Sequence, residues 1–486
     1  MSHHHFDILI LGAGLSGIGA ACHITRKFKN KKSYAVLERR QAIGGTWDLF
    51  RYPGIRSDSD MTTFGYSFRP WRASKVLADG DSIRNYVRET AEAFKVTENI
   101  HFGRKVVRAD WSSDEARWTV TTQNEADGSE ERWTAQFVIA ATGYYNYDQG
   151  YTPDFPGSEN FKGQIIHPQH WPQDLQVKDK KVVVIGSGAT AITLVPSLAK
   201  LGAKVAMLQR TPTYVLSVPA IDPLWHALSK VLPIKAVYAA TRARNVALQR
   251  TLYLTSRKRP AAVRRLLRTL TRKQLRGKVD WRHFSPNYDP WDQRLCVVPD
   301  GDLFKALRRG DAQILTSTIQ RFDQSGIELS TGEHLDADII VTATGLQLQL
   351  MGGAQMCVDG EAIQLKDRMV YKGMLLEGVP NALAITGYTN ASWTLKADIV
   401  CEHFCRIIRH MDKTGTQIVV PKPGTAKQLD ETVMGSLQSG YVARGADVLP
   451  RQGDRAPWAL LNDYVQDAAR LKLGKLTHPD LVFESV

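Results

Sequence analysis

The chain has 486 residues, of which 43% are hydrophobic, 23% charged and 9% aromatic. That composition permits two or three domains with large cores and excludes intrinsic disorder, collagen and small stapled scaffolds. The formal charge is +14, and fifteen Lys or Arg with no acid lie between Asp222 and Asp280, so the basic character belongs to one segment and the charges elsewhere nearly cancel.

The N-terminal residues MSHHHFDILILGAG carry no basic region and no cleavage site, and no stretch approaches the about 18 apolar residues of a membrane span. A cytoplasmic protein is expected. The histidines His3, His4 and His5 are given no function. Five cysteines, Cys22, Cys296, Cys357, Cys401 and Cys405, are scattered without CxxC or metal-ligand spacing. They read as reduced thiols, and no metal site is expected.

From Phe6 the sequence runs FDILILGAGLSGIGAACHI, a β-rich run, then Gly12, Gly14 and Gly17, then small helix formers. Strand, tight turn and helix follow from that order. Residues 33–38 (SYAVLE) form a second strand that ends in Glu38, 21 residues after Gly17. In this setting GxGxxG is a dinucleotide turn: glycines let the backbone approach a pyrophosphate at a helix N-terminus, and the acid accepts from a ribose hydroxyl.

The same grammar recurs at Lys181 in KVVVIGSGATAITLVPSLAK, with Gly186, Gly188 and Ala191, but its second strand ends in Arg210 and Thr211 where the first unit has an acid. An acid repels a 2′-phosphate and an Arg pairs with it, so the second site favours NADP(H) over NAD(H). Such a charge-assisted bond contributes about 1.5 to 3 kcal/mol.

Two further runs, FVIAATGYYN (137–146) and DIIVTATGLQ (338–347), couple a buried strand to Ala-Thr-Gly, where the chain leaves one nucleotide domain for the other. The expected fold is α/β, with two Rossmann-like dinucleotide-binding domains, for FAD and NADP, and a helical insertion. Residues 1–147 and 347–486 are assigned to the FAD domain, 148–218 and 291–346 to the NADP domain, and 219–290, with breaks at Pro233 and Pro260, to the helical insert. Two facing nucleotide sites imply hydride transfer from NADPH to a flavin. Cys401 and Cys405 have the wrong spacing for a disulfide reductase, which leaves dioxygen as the common acceptor.

At this point the chain resembles a family. Residues 161–172 (FKGQIIHPQHWP) fit the FxGxxxHxxxWP fingerprint of Baeyer–Villiger monooxygenases, and residues 44–58 (GGTWDLFRYPGIRSD) fit that family's second signature. Simple flavin-containing monooxygenases share the first pattern loosely and lack the second. Stretches such as PWDQRLC and YTNASWTLKAD look especially like the ethionamide-activating branch of the family.

Carried over residue by residue, the resemblance assigns Gly12, Gly14, Ser16, Gly17 and Glu38 to the FAD pyrophosphate and ribose. It implies Thr46, Trp47, Asp48 and Leu49 along the flavin, the backbone of Val106 at the adenine, and Arg56, Ser57 and Asp58 between flavin and nicotinamide. On the other side it gives Gly186, Ser187, Gly188, Ala189, Thr190, Ala191 and Ile192 to NADP, with Arg210 and Thr211 on the 2′-phosphate. His167 and Trp171 are assigned to domain coupling. Asn390, Ser392 and Thr394 are expected to cap a helix facing the flavin pyrimidine.

Arg294 has a reason of its own. Reduced flavin and dioxygen give a C4a-peroxide that must stay anionic to attack a ketone carbon, which requires a fixed cation. Arg stays charged in a partly dry pocket, and Asp58 would hold it. Many relatives carry a Lys-Arg pair where this chain has Gln293 and Arg294. Arg294 and Asp58 are therefore the catalytic candidates.

The function implied is an NADPH- and O2-dependent FAD monooxygenase that turns ketones into esters or lactones through a C4a-peroxyflavin, with sulfoxidation of thioethers beside it. A heteroatom (S or N) monooxygenase is the enzymatic alternative, and a non-catalytic, membrane-associated nucleotide-binding protein is the alternative of another class. The substrate pocket is expected between the insert and loops around Trp47, Tyr144, Tyr145, Leu348 and Trp393. In the insert, Val263, Leu266, Leu267 and Leu270 fall on one face of a helical wheel, with Arg264, Arg265, Arg268, Arg272 and Arg276 opposite. That apolar face is expected to pack on the NADP domain, with peripheral contact to an anionic membrane as the alternative. Nucleic acid is excluded, because no binding motif accompanies the charge.

Overall fold

The computed structural model describes residues 3–435 and 437–486. The apolar runs of the sequence become the central strands of two sheets. Ile8, Leu9, Ile10 and Leu11 are completely buried, and Val182, Val183 and Val184 nearly so. Such two-sided burial is the condition of parallel strands covered by helices on both faces.

Among the described residues, the larger sheet has nine strands. Its parallel core pairs His3–Leu11 with Tyr34–Glu38 on one side and Glu130–Ala140 on the other, and Ala382–Ala384 adds in parallel to Glu130–Ala140. Arg104–Ser112 and Arg117–Asn124 extend it as antiparallel strands. The second sheet is wholly parallel, in the order Ala312–Thr316, Lys204–Gln209, Lys181–Ile185, Ile339–Thr342, Gln164–Ile166. The first sheet draws its strands from both ends of the chain and the second from the middle. The helices Leu15–Phe28 and Trp393–Thr414 cover the first sheet, where Phe404 meets Phe137 edge-on at 5.9 Å.

Each sheet brings its glycine turn against its own Ala-Thr-Gly run. A Cβ on Gly12 would stand 2.9 Å from the Ala141 carbonyl oxygen, and one on Gly186 would stand 2.3 Å from that of Ala343. Both positions also have positive φ, +100° and +138°. Only glycine tolerates that combination of backbone angle and contact.

The two linkers meet at His167. Its Nε2 lies 3.1 Å from the Gly345 carbonyl oxygen, and its Nδ1 accepts from the Gln169 N–H at 3.2 Å.

The insert is built from the helices Pro223–Leu228, Ile234–Lys258 and Pro260–Leu275. Its last helix corrects the wheel. The buried stripe is Val263, Leu267, Thr271 and Leu275, while Leu266 and Leu270 are 53% and 40% exposed. Three arginines expected outside turn toward partners instead. Arg264 pairs with Asp289, and Arg272 lies 3.8 Å from the Trp281 ring centroid with Arg268 beside it. Two leucine stripes lie side by side on this helix, and a guanidinium that finds an acid or an aromatic face is as well placed inward as a leucine. The middle helix is tied down by Arg242, which donates to the carbonyls of Thr62 and Gly65 at 2.8 Å each. Among the described residues no helix is long and apolar enough to cross a membrane.

Candidate active site

The first mouth is a cavity lined by Gly12, Gly14, Glu38, Val106, Tyr145 and Met351. The helix Leu15–Phe28 starts at Gly14 with no side-chain cap. Its first N–H groups are therefore left for an anion. Glu38 is 5% exposed and accepts from the N–H groups of Ala13 (2.6 Å) and Arg40 (2.7 Å). Burial pushes its carboxyl above the ordinary value, and those two donors oppose the shift. Gly17 packs on the Gly12 carbonyl so closely that a Cβ would stand 1.8 Å from it. The Ser16 hydroxyl accepts from Trp393 Nε1 at 2.7 Å.

The short helix Thr46–Leu49 follows Gly45. Trp47 meets Phe64 edge-on at 5.7 Å. The Asp48 carboxylate is held by Arg40, with Nη2 at 2.7 Å, and by Arg51. Leu49 joins the hydrophobic cluster of the second sheet. This helix thus bridges the two halves of the molecule. Beyond it, Arg56 Nη1 lies 2.5 Å from Asp302 Oδ2, and the Ser57 hydroxyl donates to the Ser59 carbonyl at 2.7 Å.

At the second mouth Gly188 begins the helix Ala189–Lys200, again without a side-chain cap, and nothing lies within 4 Å of the place its Cβ would take. Ser187, Ala189 and Thr190 border this space, while Ala191 and Ile192 anchor the helix in the core. Arg210 is exposed at the end of the strand Lys204–Gln209, with Thr211 half-buried beside it. Two uncapped helix N-termini, an acid in one mouth and, at the other, a guanidinium with no carboxylate partner among the described residues fit two dinucleotides of different ribose chemistry.

A third cavity has Asp58, Arg294 and Asn390 on its wall beside apolar residues that include Leu216, Leu252 and Trp291, and Asp222 and Arg244 line it as well. Arg294 Nη1 lies 3.4 Å from Asp58 Oδ2. The Arg294 side chain is 34% exposed, while its Nε is buried and has no partner. Burial by itself would lower the pKa of this guanidinium. The phenols of Tyr144 and Tyr441 and the Asp58 carboxylate outweigh it and hold the pKa above the ordinary value. Tyr144 also stacks on Trp393 at 5.1 Å and bonds the Tyr145 hydroxyl at 2.6 Å.

The capping expected at 390–394 is corrected. Ser392 stands at the N-cap of Trp393–Thr414 but makes no side-chain cap bond. Its Oγ bonds Thr63 Oγ1 at 2.6 Å, Thr394 Oγ1 donates to the Phe64 carbonyl, and Asn390 Nδ2 donates to the Asn462 carbonyl at 2.7 Å. The neighbouring segment supplies better partners than the helix end, so that end too is left open. Trp47, Tyr144, Tyr145, Leu348 and Trp393, expected around the substrate, do not line the third cavity, whose walls come from the insert, from 291–297 and from the segments around Asp58, Leu77, Leu216 and Asn390. Tyr441 was not foreseen, since no motif marks it. Cys401 and Cys405 are buried free thiols raised by burial, as unreactive as their spacing suggests.

Residues 6–390 match the model of the flavin-binding monooxygenase-like family. The chain belongs to that family. A putative FAD-containing monooxygenase, MymA, of Mycobacterium tuberculosis is 54% identical over 470 residues, covering 96% of this chain and 95% of the relative. The FAD-containing monooxygenase EthA of the same species is 50% identical over 482 residues, covering 99% and 98%. Among solved structures, an oxidized steroid monooxygenase bound to NADP superposes with a TM-score of 0.76 at 22% identity, covering 99% of this chain and 100% of that one. That likeness shows the fold, a pair of dinucleotide-binding domains, shared by this flavin-binding monooxygenase.

Proposed function

We propose that this flavin-binding monooxygenase is a Baeyer–Villiger enzyme: it uses FAD, NADPH and O2 to insert one oxygen atom beside a ketone carbonyl, giving an ester or lactone. The observation that carries the reading is Arg294, a fixed cation whose buried Nε has no partner among the described residues, set against Asp58 in a cavity whose surface is mostly apolar. Bound FAD, reduced by NADPH, supplies the activated oxygen.

The residues divide the remaining work. Gly12, Gly14, Ser16, Gly17, Glu38 and Val106, with Thr46, Trp47, Asp48 and Leu49, surround the FAD side. Residues 186–192, Arg210 and Thr211 hold NADPH, and Arg210 selects the 2′-phosphate. Arg56, through Asp302, and Ser57 fix the loop that carries Asp58. Asp58 orients Arg294, which stabilises negative charge at the reacting oxygen, a role that a preorganised cation performs best where water is scarce. Leu216, Leu252 and Trp291 supply part of the cavity's apolar surface and suit a hydrophobic ketone or thioether.

A panel of linear, cyclic and aryl ketones plus a thioether, incubated with NADPH and read by product mass, tests the assignment. Ester or lactone from at least one ketone is the expected result. Sulfoxide alone, with every ketone recovered, would move the enzyme to the heteroatom monooxygenases.

A further inference from the structure

We propose that Arg444 is a second phosphate-binding cation of the NADP(H) site, reaching it from the C-terminal part of the chain. The inference rests on the assignment of residues 186–192 to NADP(H). Arg444 ends the short helix Gly440–Arg444, and its guanidinium carbon lies 3.5 Å from the Tyr151 ring centroid. Its Nη2 stands 3.3 Å from the place a Cβ of Gly345 would take.

Both of these anchors belong to the second mouth. The Tyr151 N–H donates to the Gly345 carbonyl at 3.1 Å, and Thr344 Oγ1 donates to the Tyr151 carbonyl at 2.6 Å. Ala343, two residues before Gly345, is the residue whose carbonyl abuts Gly186. The Arg444 guanidinium is thus held where the glycine turn leaves its strand.

Neither Arg444 nor Arg210 has a carboxylate within ion-pair distance among the described residues. Partial burial, with the positive field of Arg210 adding to it, holds the Arg444 guanidinium below its ordinary value against the help of Tyr151. Arg210, from the middle of the chain, and Arg444, from its C-terminal part, are two unneutralised cations whose charges are felt by one another, and they repel until an anion sits between them. The phosphates of a dinucleotide are that anion. Stacking on Tyr151 fixes the planar fork of Arg444 in advance, so little side-chain freedom is lost when a phosphate arrives.

The test is equilibrium titration of the FAD-loaded protein with NADP+ and, separately, NAD+, followed by calorimetry, for wild type, Arg444→Ala, Arg444→Gln and Arg444→Lys. NADP+ affinity should fall tenfold or more in the Ala and Gln variants and recover in part with Lys. Loss confined to NADP+ places the contact at the 2′-phosphate, and equal loss with NAD+ places it at the pyrophosphate. Unchanged NADP+ affinity in the Gln variant overturns the proposal, whether or not the melting temperature drops. A lower melting temperature with intact affinity would make Arg444 a packing residue for Tyr151. Failure of the wild type to bind NADP+ would instead remove the cofactor assignment beneath it.

Discussion

Arg294 and Asp58 are 236 positions apart in the chain and 3.4 Å apart in space. The pair joins the last residue of the 44–58 signature to the segment between the helical insert and the strand Cys296–Pro299. Arg294→Ala is expected to abolish ester formation while NADPH still reduces the flavin, because the guanidinium acts after reduction. Stopped-flow reduction at 450 nm, beside product analysis, checks this. Ketone oxygenation at near wild-type rate in the variant would remove Arg294 from catalysis.

Arg210 is exposed at the end of its strand with no carboxylate partner among the described residues, so its substitution reads cofactor choice. Arg210→Ala should raise the KM for NADPH by tenfold or more, in line with about 1.5 to 3 kcal/mol for a charge-assisted bond, and leave NADH nearly unchanged. Equal losses with both cofactors would make Arg210 structural.

The glycines of the second turn separate backbone strain from ligand approach. Gly186→Ala meets the Ala343 carbonyl at 2.3 Å with φ at +138°, whereas Gly188→Ala meets nothing within 4 Å. The first should lower the melting temperature and lose NADPH-dependent bleaching together. The second should keep the melting temperature and weaken NADPH only, since its methyl group intrudes where a phosphate belongs. Thermal denaturation alongside an NADPH titration distinguishes the two.

His403 supplies a pH prediction. Burial lowers its pKa from 6.5 to about 4, and its Nδ1 bonds the Leu471 carbonyl while its Nε2 is buried without a partner. The folded state keeps this imidazole neutral, and the unfolded chain takes up a proton below pH 6.5. Stability is therefore full above that pH and declines as pH falls toward 4, by up to about 1.4 kcal/mol per pH unit. His403→Gln should flatten this acid slope in urea melts at pH 7, 6 and 5. An unchanged slope would place the acid sensitivity elsewhere.

Much of the fold and the cofactor mouths could be read from the sequence because glycine spacing records backbone constraints. Gly12 and Gly186 cannot be replaced without meeting Ala141 and Ala343, and the valine and isoleucine runs fit only strands buried on both faces. What could not be read depends on which of two possible partners a side chain takes. Arg264, Arg268 and Arg272 read as a solvent face until Asp289 and Trp281 fold beneath them. Ser392 and Thr394 read as helix caps, yet Thr63 and Phe64 claim their hydroxyls. Tyr441 and Arg444 lie outside every motif, and only the tertiary fold carries them to Arg294 and Tyr151.

Oxygen transfer itself is tested most directly with labelled gas. The FAD-loaded enzyme, NADPH and a converted ketone are incubated under ¹⁸O2, and the product ester is weighed by mass spectrometry against NADPH consumed. The account predicts one ¹⁸O atom in each ester molecule and one ester for each NADPH. Oxidation of NADPH with the ketone recovered unchanged and hydrogen peroxide as the sole oxygen product would contradict it.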